Sequence, residues 1–311
     1  MVAWLIYFRE AAIYNKQYIQ FYRKEGSMHG IDVKLILVED LEFGVKNNTW
    51  FLTYQKEAIA NPDFVICRAI YPLLSKQLEL MGIKVFNNSF VSEICNDKAR
   101  AYQYLAKTGI KMVDSSFYRN VQVKEVISVV TKPTVIKAVE GHGGTQVFLV
   151  EPSDVISYEG ESEADEDTLN YGSRKKQSEI VDGLRSSDVV VQPLTGSRHQ
   201  DLRVYVIGKE IIAAVLRTAK EGFKSNYSLG GEVCLYHLSE EEKAIVNTII
   251  NQFDFGLVGI DFIIGDQGEF IFNEIEDVVG SRMLYQCSDI NIVEVYLKFI
   301  VQSINSKYLI N

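Results

Sequence analysis

Residues 257–285, LVGIDFIIGDQGEFIFNEIEDVVGSRMLY, constrain this chain more than any other stretch. Val258, Ile260, Phe262 and Ile264 alternate with smaller or polar residues, the two-residue period of a half-buried strand. Gly265-Asp266-Gln267-Gly268 is turn chemistry, and a second alternating run follows from Phe270 to Glu276. A hairpin with Gly265 opposite Gly268 sets Asp261 against Phe272. It also puts Glu274 and Glu276 on Asp261's side of the sheet, because successive side chains alternate faces. Unpaired carboxylates on one patch repel and raise one another's pKa values. A hard cation with oxygen ligands, Mg²⁺ above all, removes that repulsion. A solvated acidic hairpin face fits the same residues. Register separates the two readings, since a loop one residue longer or shorter turns Asp261 away from the glutamates.

With 311 residues, 47% of them hydrophobic, the chain has material for a sizeable core and, by length, about two to three domains. A net charge of -9 argues against a dominant nucleic-acid or anionic-membrane surface, although a local basic cleft is compatible with it. The cysteines, Cys67, Cys95, Cys234 and Cys287, stand far apart with no C-x-x-C, so buried free thiols in a reducing compartment are the plain reading. No stretch approaches the ~20 apolar residues of a membrane span. These features predict a soluble, cytoplasmic protein without nucleic-acid or membrane partners. Self-association into a homo-oligomer is compatible with them.

Short apolar runs at 2–8, 33–38, 64–68 and 84–87 alternate with helical patterns at 15–28 and 71–81. That alternation predicts a parallel sheet with crossover helices over residues 1–90. No G-x-G-x-x-G follows the first strand, so a Rossmann cofactor site is not supported. Arg68 falls at the C-terminal end of a strand, where such sheets place ligands; an ordinary surface arginine is the plainer reading. Next the pattern predicts one long helix over 91–108 containing Lys98, a strand over 112–118, and a strand over 134–139 carrying Lys137. The loop Glu140-Gly-His-Gly-Gly144 then leads to a returning strand. Its Gly143 and Gly144 let backbone N–H groups approach phosphates, and Lys137 adds a charge; a plain hairpin fits too. Residues 153–187, an acidic block followed by a basic one, read as a solvated, mobile excursion. Strands over 188–194, 204–207 and 211–216 follow, then a helix from Ser239, which makes a capping box with Glu242. His142 and His199 show no partner in the sequence.

The segments NDKARAYQYLAKTGI, TVIKAVEGHGGTQVFLV, VVVQPL, DLRVYVIGKEIIAAVLR, FKSNYSLGG and GIDFIIGDQGEFIFNEIEDVVG stand in an order that resembles the ATP-grasp superfamily. Within it, the chain is most similar to RimK-type and glutathione-synthetase-like carboxylate–amine ligases. The resemblance implies an α/β (α+β) ATP-grasp fold. Residues 1–90 would form an N-terminal parallel pre-ATP-grasp domain, 91–192 a lid subdomain, and 193–311 a metal- and substrate-binding subdomain. It further implies that Lys98 and Lys137 reach ATP phosphates, that Gln192, Pro193 and Leu194 form the hinge on which adenine rests, and that Arg203 and Arg217 face the phosphates and the acyl phosphate. Asn226 with Gly230 and Gly231 would form the substrate-side loop. Asp261, Glu274 and Glu276 would ligate a pair of Mg²⁺ ions, which Mn²⁺ could replace.

One departure stands out. The family usually reads Glu-x-Asn followed soon by Pro-Gly; here the chain reads Glu274-Ile275-Glu276-Asp277-Val278-Val279-Gly280-Ser281-Arg282. Glu276 can still ligate a cation and adds a negative charge. The missing Pro-Gly withholds any named member's substrate. Arg282 suits a substrate carboxylate or a structural ion pair equally. The implied chemistry is amide or peptide formation from a carboxylate and an amine through an acyl phosphate, with release of ADP and phosphate. The amine or carboxylate would be a small molecule, an amino acid or a peptide. Modification of a peptide or protein end, and a nucleotide-binding module without catalysis, are the alternatives.

Overall fold

The computed structural model describes residues 1–141, 144–155, 166–219 and 232–306, with backbone only at 166–173. His142, Gly143, Asn226, Gly230 and Gly231 lie outside the described residues.

The opening run VAWLIY forms β1 (Val2–Tyr7), whose last five residues are all buried. A strand without polar breaks needs cover on both faces, which a parallel sheet provides. Helices α1 (Arg9–Tyr14) and α2 (Lys16–Met28) return the chain to β2 (Asp32–Leu37). Before the sheet resumes, β3 (Leu41–Lys46), β4 (Thr49–Tyr54) and β5 (Glu57–Ala58) form a small antiparallel sheet that the sequence reading missed. Its signal was present. Asn47-Asn48 and Gln55-Lys56 both adopt positive φ, as two-residue hairpin turns between alternating runs require. The parallel sheet continues with β6 (Phe64–Cys67), α3 (Pro72–Leu80) and β7 (Lys84–Phe86), in the order β2-β1-β6-β7.

The single helix expected over 91–108 is two: α4 (Ser89–Cys95) and α5 (Lys98–Leu105). Asp97 breaks it by taking an extended backbone and accepting the Arg100 N–H as the N-cap of α5. Lys98 thereby becomes the first residue of a new helix. The expected strand over 112–118 shortens to β8 (Ser116–Tyr118), with Met112 making one isolated bridge to Phe272. Then come α6 (Val123–Ser128), β9 (Thr134–Ala138), β10 (Val147–Val150), α7 (Glu166–Gly183) and β11 (Val189–Pro193); the second sheet runs β10-β9-β11-β8. Helix α7 corrects the reading of 153–187 as a solvated excursion. Ile180 is buried near its C-terminal end, with Leu184 just beyond it, against Val123, Ile127, Ile136 and Val150. A few apolar residues at helical spacing outweigh the charged composition.

The third sheet has the order β14-β13-β12-β15-β16 and is antiparallel throughout. It comprises β12 (Gln200–Ile207), β13 (Glu210–Thr218), β14 (Glu232–Tyr236), β15 (Leu257–Ile264) and β16 (Phe270–Glu276). Helix α8 (Glu240–Ile250) starts with the expected capping box between Ser239 and Glu242. Helices α9 (Arg282–Cys287) and α10 (Ile292–Asn305) close the described chain. One face of the sheet, with Leu202, Val204, Val258, Ile260 and Phe262, packs on α5 and α8. The other face packs Tyr205, Val215 and Leu257 against α10 and the first sheet. At its far end, this second face carries Asp201, Arg203, Arg217 and Asp261, which cross-strand pairing brings side by side. A one-residue slip of β12 would drive Asp201 and Arg203 into the apolar face. Burying charged groups without partners costs several kcal/mol each, so the register is strongly held.

The β15–β16 register differs from the sequence reading. The turn closes through Gly265 N–H to Glu269 O, so Ile264 pairs with Phe270 and Phe262 with Phe272. This loop is one residue longer than assumed and by itself would turn Asp261 away from the glutamates. A β-bulge after Phe272 makes up the residue: Asn273 is extra, and Asp261 pairs with Glu274 and Gly259 with Glu276. Two departures cancel, and the three carboxylates share a face after all.

Candidate active site

Four adjacent strands build a charged patch from cross-strand neighbours: Asp201 beside Arg217, Arg203 beside Asp261, Asp261 beside Glu274. Arg203 clamps Asp261 with two parallel bonds, Nε to Oδ1 at 2.8 Å and Nη2 to Oδ2 at 2.7 Å, the planar fork that guanidinium and carboxylate form best. Its Nη1 meets Oε2 of Glu276. Gly259 makes this approach feasible, because a Cβ there would stand 3.3 Å from Arg203 Cδ and 2.7 Å from Val279. Arg217 donates Nε to Asp201 Oδ1 at 2.6 Å and Nη2 to both Asp201 and Asp261, the latter at 2.7 Å. Burial alone would raise the Asp261 pKa, but the two arginines outweigh it and hold the carboxyl down at about 2. Asp201, where burial wins, is pushed up to about 6. Burial also raises Glu276. Glu274 is lowered, the Lys98 ammonium overcoming its burial.

The two lysines face this patch across a cavity between the second and third sheets. Lys98 donates Nζ to Gly141 O at 2.5 Å and pairs with Glu274 at 3.1 Å. Lys137 donates Nζ to Asn273 Oδ1 at 2.9 Å, and burial lowers its pKa to about 8. Val135, Val147, Gln192, Pro193 and Leu194 line the cavity from the second sheet and its exit. Gln200, Asp201, Ile263, Asn273 and Glu274 line it from the third. Its lining combines apolar side chains (Val135, Val147, Ile263) with charged ones (Lys98, Lys137, Asp201, Glu274), which suits a flat heterocycle continued by an anionic chain.

The structure thus brings together Lys98, Lys137, Gly144, Gln192, Pro193, Leu194 and Glu274 around one cavity. Arg203, Arg217, Asp261 and Glu276 adjoin it. The carboxylates are already engaged by protein cations, and among the described residues no set of three histidine, cysteine, aspartate or glutamate side chains stands in metal-holding geometry. Arg68 lies apart from this patch. It is partly buried and donates Nη2 to Val279 O at 3.0 Å, holding the segment that lacks Pro-Gly. Tyr205 OH bonds Gly280 O at 2.9 Å and Ser281 Oγ bonds Tyr18 OH at 2.9 Å, so side chains shape this loop in place of proline. Arg282 is exposed, with its guanidinium 5.1 Å from the centroid of the Tyr14 ring.

Sequence reasoning missed three residues. Asp201 stood two places before Arg203, on the same strand face, which was signal enough. Asn273 is visible only through the bulge. Asp277 is buried and accepts Nδ2 of Asn87 at 2.5 Å and of Asn96 at 2.9 Å. It ties the end of β16 to the residue just before Asp97 and Lys98, and nothing local announces that contact.

The RimK-like ATP-grasp domain family matches residues 95–163 and 169–300, well over half of the chain. A probable alpha-L-glutamate ligase of Vibrio vulnificus (strain YJ016) is 27% identical over 287 residues, covering 89% of each chain. Another of Legionella pneumophila (strain Corby) is 28% identical over 231 residues, covering 72% of this chain and 69% of its own length. Among solved structures, the ATP-grasp ligase PsnB complexed with minimal precursor superimposes with a TM-score of 0.64 at 16% identity, over 97% of this chain and 98% of its own. D-alanyl-alanine synthetase A from Vibrio cholerae gives 0.65 at 15% identity, over 100% and 99%. The fold, the charged cavity between two sheets and the matched family agree: this chain belongs to the RimK-like ATP-grasp family, whose members are ATP-dependent carboxylate–amine ligases.

Proposed function

We propose that the chain activates a substrate carboxylate with ATP as an acyl phosphate and transfers the acyl group to an amine, releasing ADP and phosphate. The cavity carries this reading: apolar walls at Val135, Val147 and Ile263 lead to Lys98, Lys137 and Glu274. Adenine would lie in the apolar end beside Gln192, Pro193 and Leu194. Lys98 and Lys137 would meet the phosphates. Glu274, which lines the cavity with its side chain 32% exposed, and Glu276, two residues on along the same strand face, offer oxygen ligands that suit a hard cation. Mg²⁺ bound there would neutralise charge that develops on the transferred phosphoryl group. Arg203 and Arg217 stiffen the carboxylate side of the site and offer fixed positive charge at its edge. Arg282, on the segment following the carboxylate strand, and Arg68, which bonds that segment at Val279 O, would meet the substrate together with Asn226, Gly230 and Gly231. Relatives named as glutamate ligases, and a ligase whose partner is a precursor peptide, point to an amino acid or a peptide as substrate.

The test is ADP release across a panel of carboxylates and amines, with an ¹⁸O-labelled carboxylate. Label is expected in the released phosphate; unlabelled phosphate, or AMP with pyrophosphate, would rule out the acyl-phosphate route.

Lys137 adds a pH dependence. Its pKa is lowered to about 8 by burial, so the free protein loses this charge as pH rises through that value. Phosphate binds the charged form, so nucleotide affinity is expected to fall above pH 8. Lys137→Arg keeps its charge and should flatten the profile in calorimetric titrations. An identical fall in both proteins would remove Lys137 from the phosphate site.

A further inference from the structure

Arg203 and Arg217 are matched by carboxylates; Arg68 is not. It follows β6 at the C-terminal edge of the parallel sheet, and its Nη2 donates to the carbonyls of Val278 and Val279, at 3.4 and 3.0 Å. Among the described residues it forms no ion pair, and its Nε is buried with no hydrogen-bond partner.

Phenols surround it. The guanidinium carbon lies 5.9 Å from the centroid of the Tyr7 ring and 5.2 Å from that of Tyr18, and Tyr22 meets Tyr18 edge-on at 5.1 Å. Tyr7 and Tyr22 are 1% and 0% exposed, yet among the described residues neither hydroxyl has a partner. A buried polar group left unbonded costs free energy, and a buried cation without an anion costs more. An ionised carboxylate answers all three groups. It accepts only, so it can take the Nε–H and both phenolic O–H bonds while it neutralises the guanidinium. Arg68 and Tyr18 keep part of their surface exposed, which leaves the cluster open to such a ligand.

That carboxylate is not the one that reacts. Val279 stands between Arg68 and the acid strand: its carbonyl accepts Arg68, while its side chain packs on Gly259 beside Arg203. The lysines offered to the nucleotide line the cavity between the second and third sheets, not this cluster.

We propose that Arg68, Tyr7 and Tyr22 form a binding site for a carboxylate that the reaction does not consume, so that the substrate carries an anionic group besides its reacting one, as an acidic amino acid or an acidic peptide does. The ligase reading supplies the substrate; the anion site stands on the geometry alone.

The test follows arginine Nε–H signals in ¹⁵N-labelled protein while acetate or inorganic phosphate is added, with chloride at equal ionic strength as control. Acetate is expected to shift the signal that Arg68→Gln removes, saturably, and to bind about tenfold more weakly to Tyr22→Phe. No saturable shift beyond that of chloride overturns the site, and a response to phosphate without one to acetate overturns its chemistry. In ADP release, Arg68→Gln is expected to raise the KM of the carboxylate-bearing substrate about hundredfold, with nucleotide affinity unchanged. An unchanged KM overturns the substrate role. Should Arg68→Gln fail to fold, Tyr22→Phe, whose lost hydroxyl bonds nothing in the free protein, decides by the same two measurements: acetate affinity and KM equal to wild type overturn the proposal. A protein that binds acetate at Arg68 yet releases no ADP with any substrate keeps the anion site and loses the ligase reading.

Discussion

Arg217→Ala is expected to lower the unfolding free energy by about 3–5 kcal/mol, the usual cost of breaking a buried pair by removing one partner. The side chain is 4% exposed and bonds two carboxylates, Asp201 and Asp261. Alanine leaves both acids facing a void. Asp201 loses its nearest cation, while Asp261 keeps Arg203. The double variant Asp201→Ala, Arg217→Ala should recover part of the loss, since it removes one orphaned charge with its partner. Urea midpoints for the single and double variants check this. A loss below about 1 kcal/mol, the range of exposed pairs, would mean that the network is solvated and does not hold the strands together. Turnover per folded molecule should fall as well, because Arg203 and Asp261 lose the neighbour that fixes them.

Glu274→Gln is expected to leave the fold nearly unchanged and to cut ADP formation by about two to three orders of magnitude, the scale of losing one electrostatic contact to the transition state. Half-buried at the cavity, Glu274 pairs with Lys98 at 3.1 Å. Glutamine keeps its size and one oxygen, so packing survives and the charge is lost. Lys98 keeps its charge in both proteins, and nucleotide affinity measured without metal should stay within about threefold. Steady-state turnover with magnesium, beside nucleotide binding with and without it, separates the two effects. Full turnover in Glu274→Gln would remove this carboxylate from the reaction.

The alternation in 257–285 was enough to tell which residues of β15 share a face; in β16 the bulge leaves Phe270 and Phe272 with Phe262 on the apolar face and Glu274 with Asp261 on the other. Side-chain direction follows from the two-residue period whatever lies beside the strand. In the same way the apolar runs of the first 90 residues announced a parallel sheet. Those properties are local, and a sequence carries them locally. The hidden sheet β3–β5 was legible too, in Asn47-Asn48, whose paired positive φ values mark a tight turn.

What the tertiary structure decided concerns partners. The bulge at Asn273 restored a register that the longer turn had displaced, and bulges answer to packing on both faces of a sheet more than to any dipeptide. Helix α5 begins at Lys98 because Asp97 caps it, and Asn96 is held by Asp277, which lies 181 residues later in the chain. Arg203 and Arg217 were legible in the sequence as cations on neighbouring strands. Their commitment to Asp261 and Asp201 was not, because a charge in sequence has no stated partner. Which acid binds which base is settled by desolvation: groups removed from water must be paired where they are buried, and burial exists only once three sheets have come together.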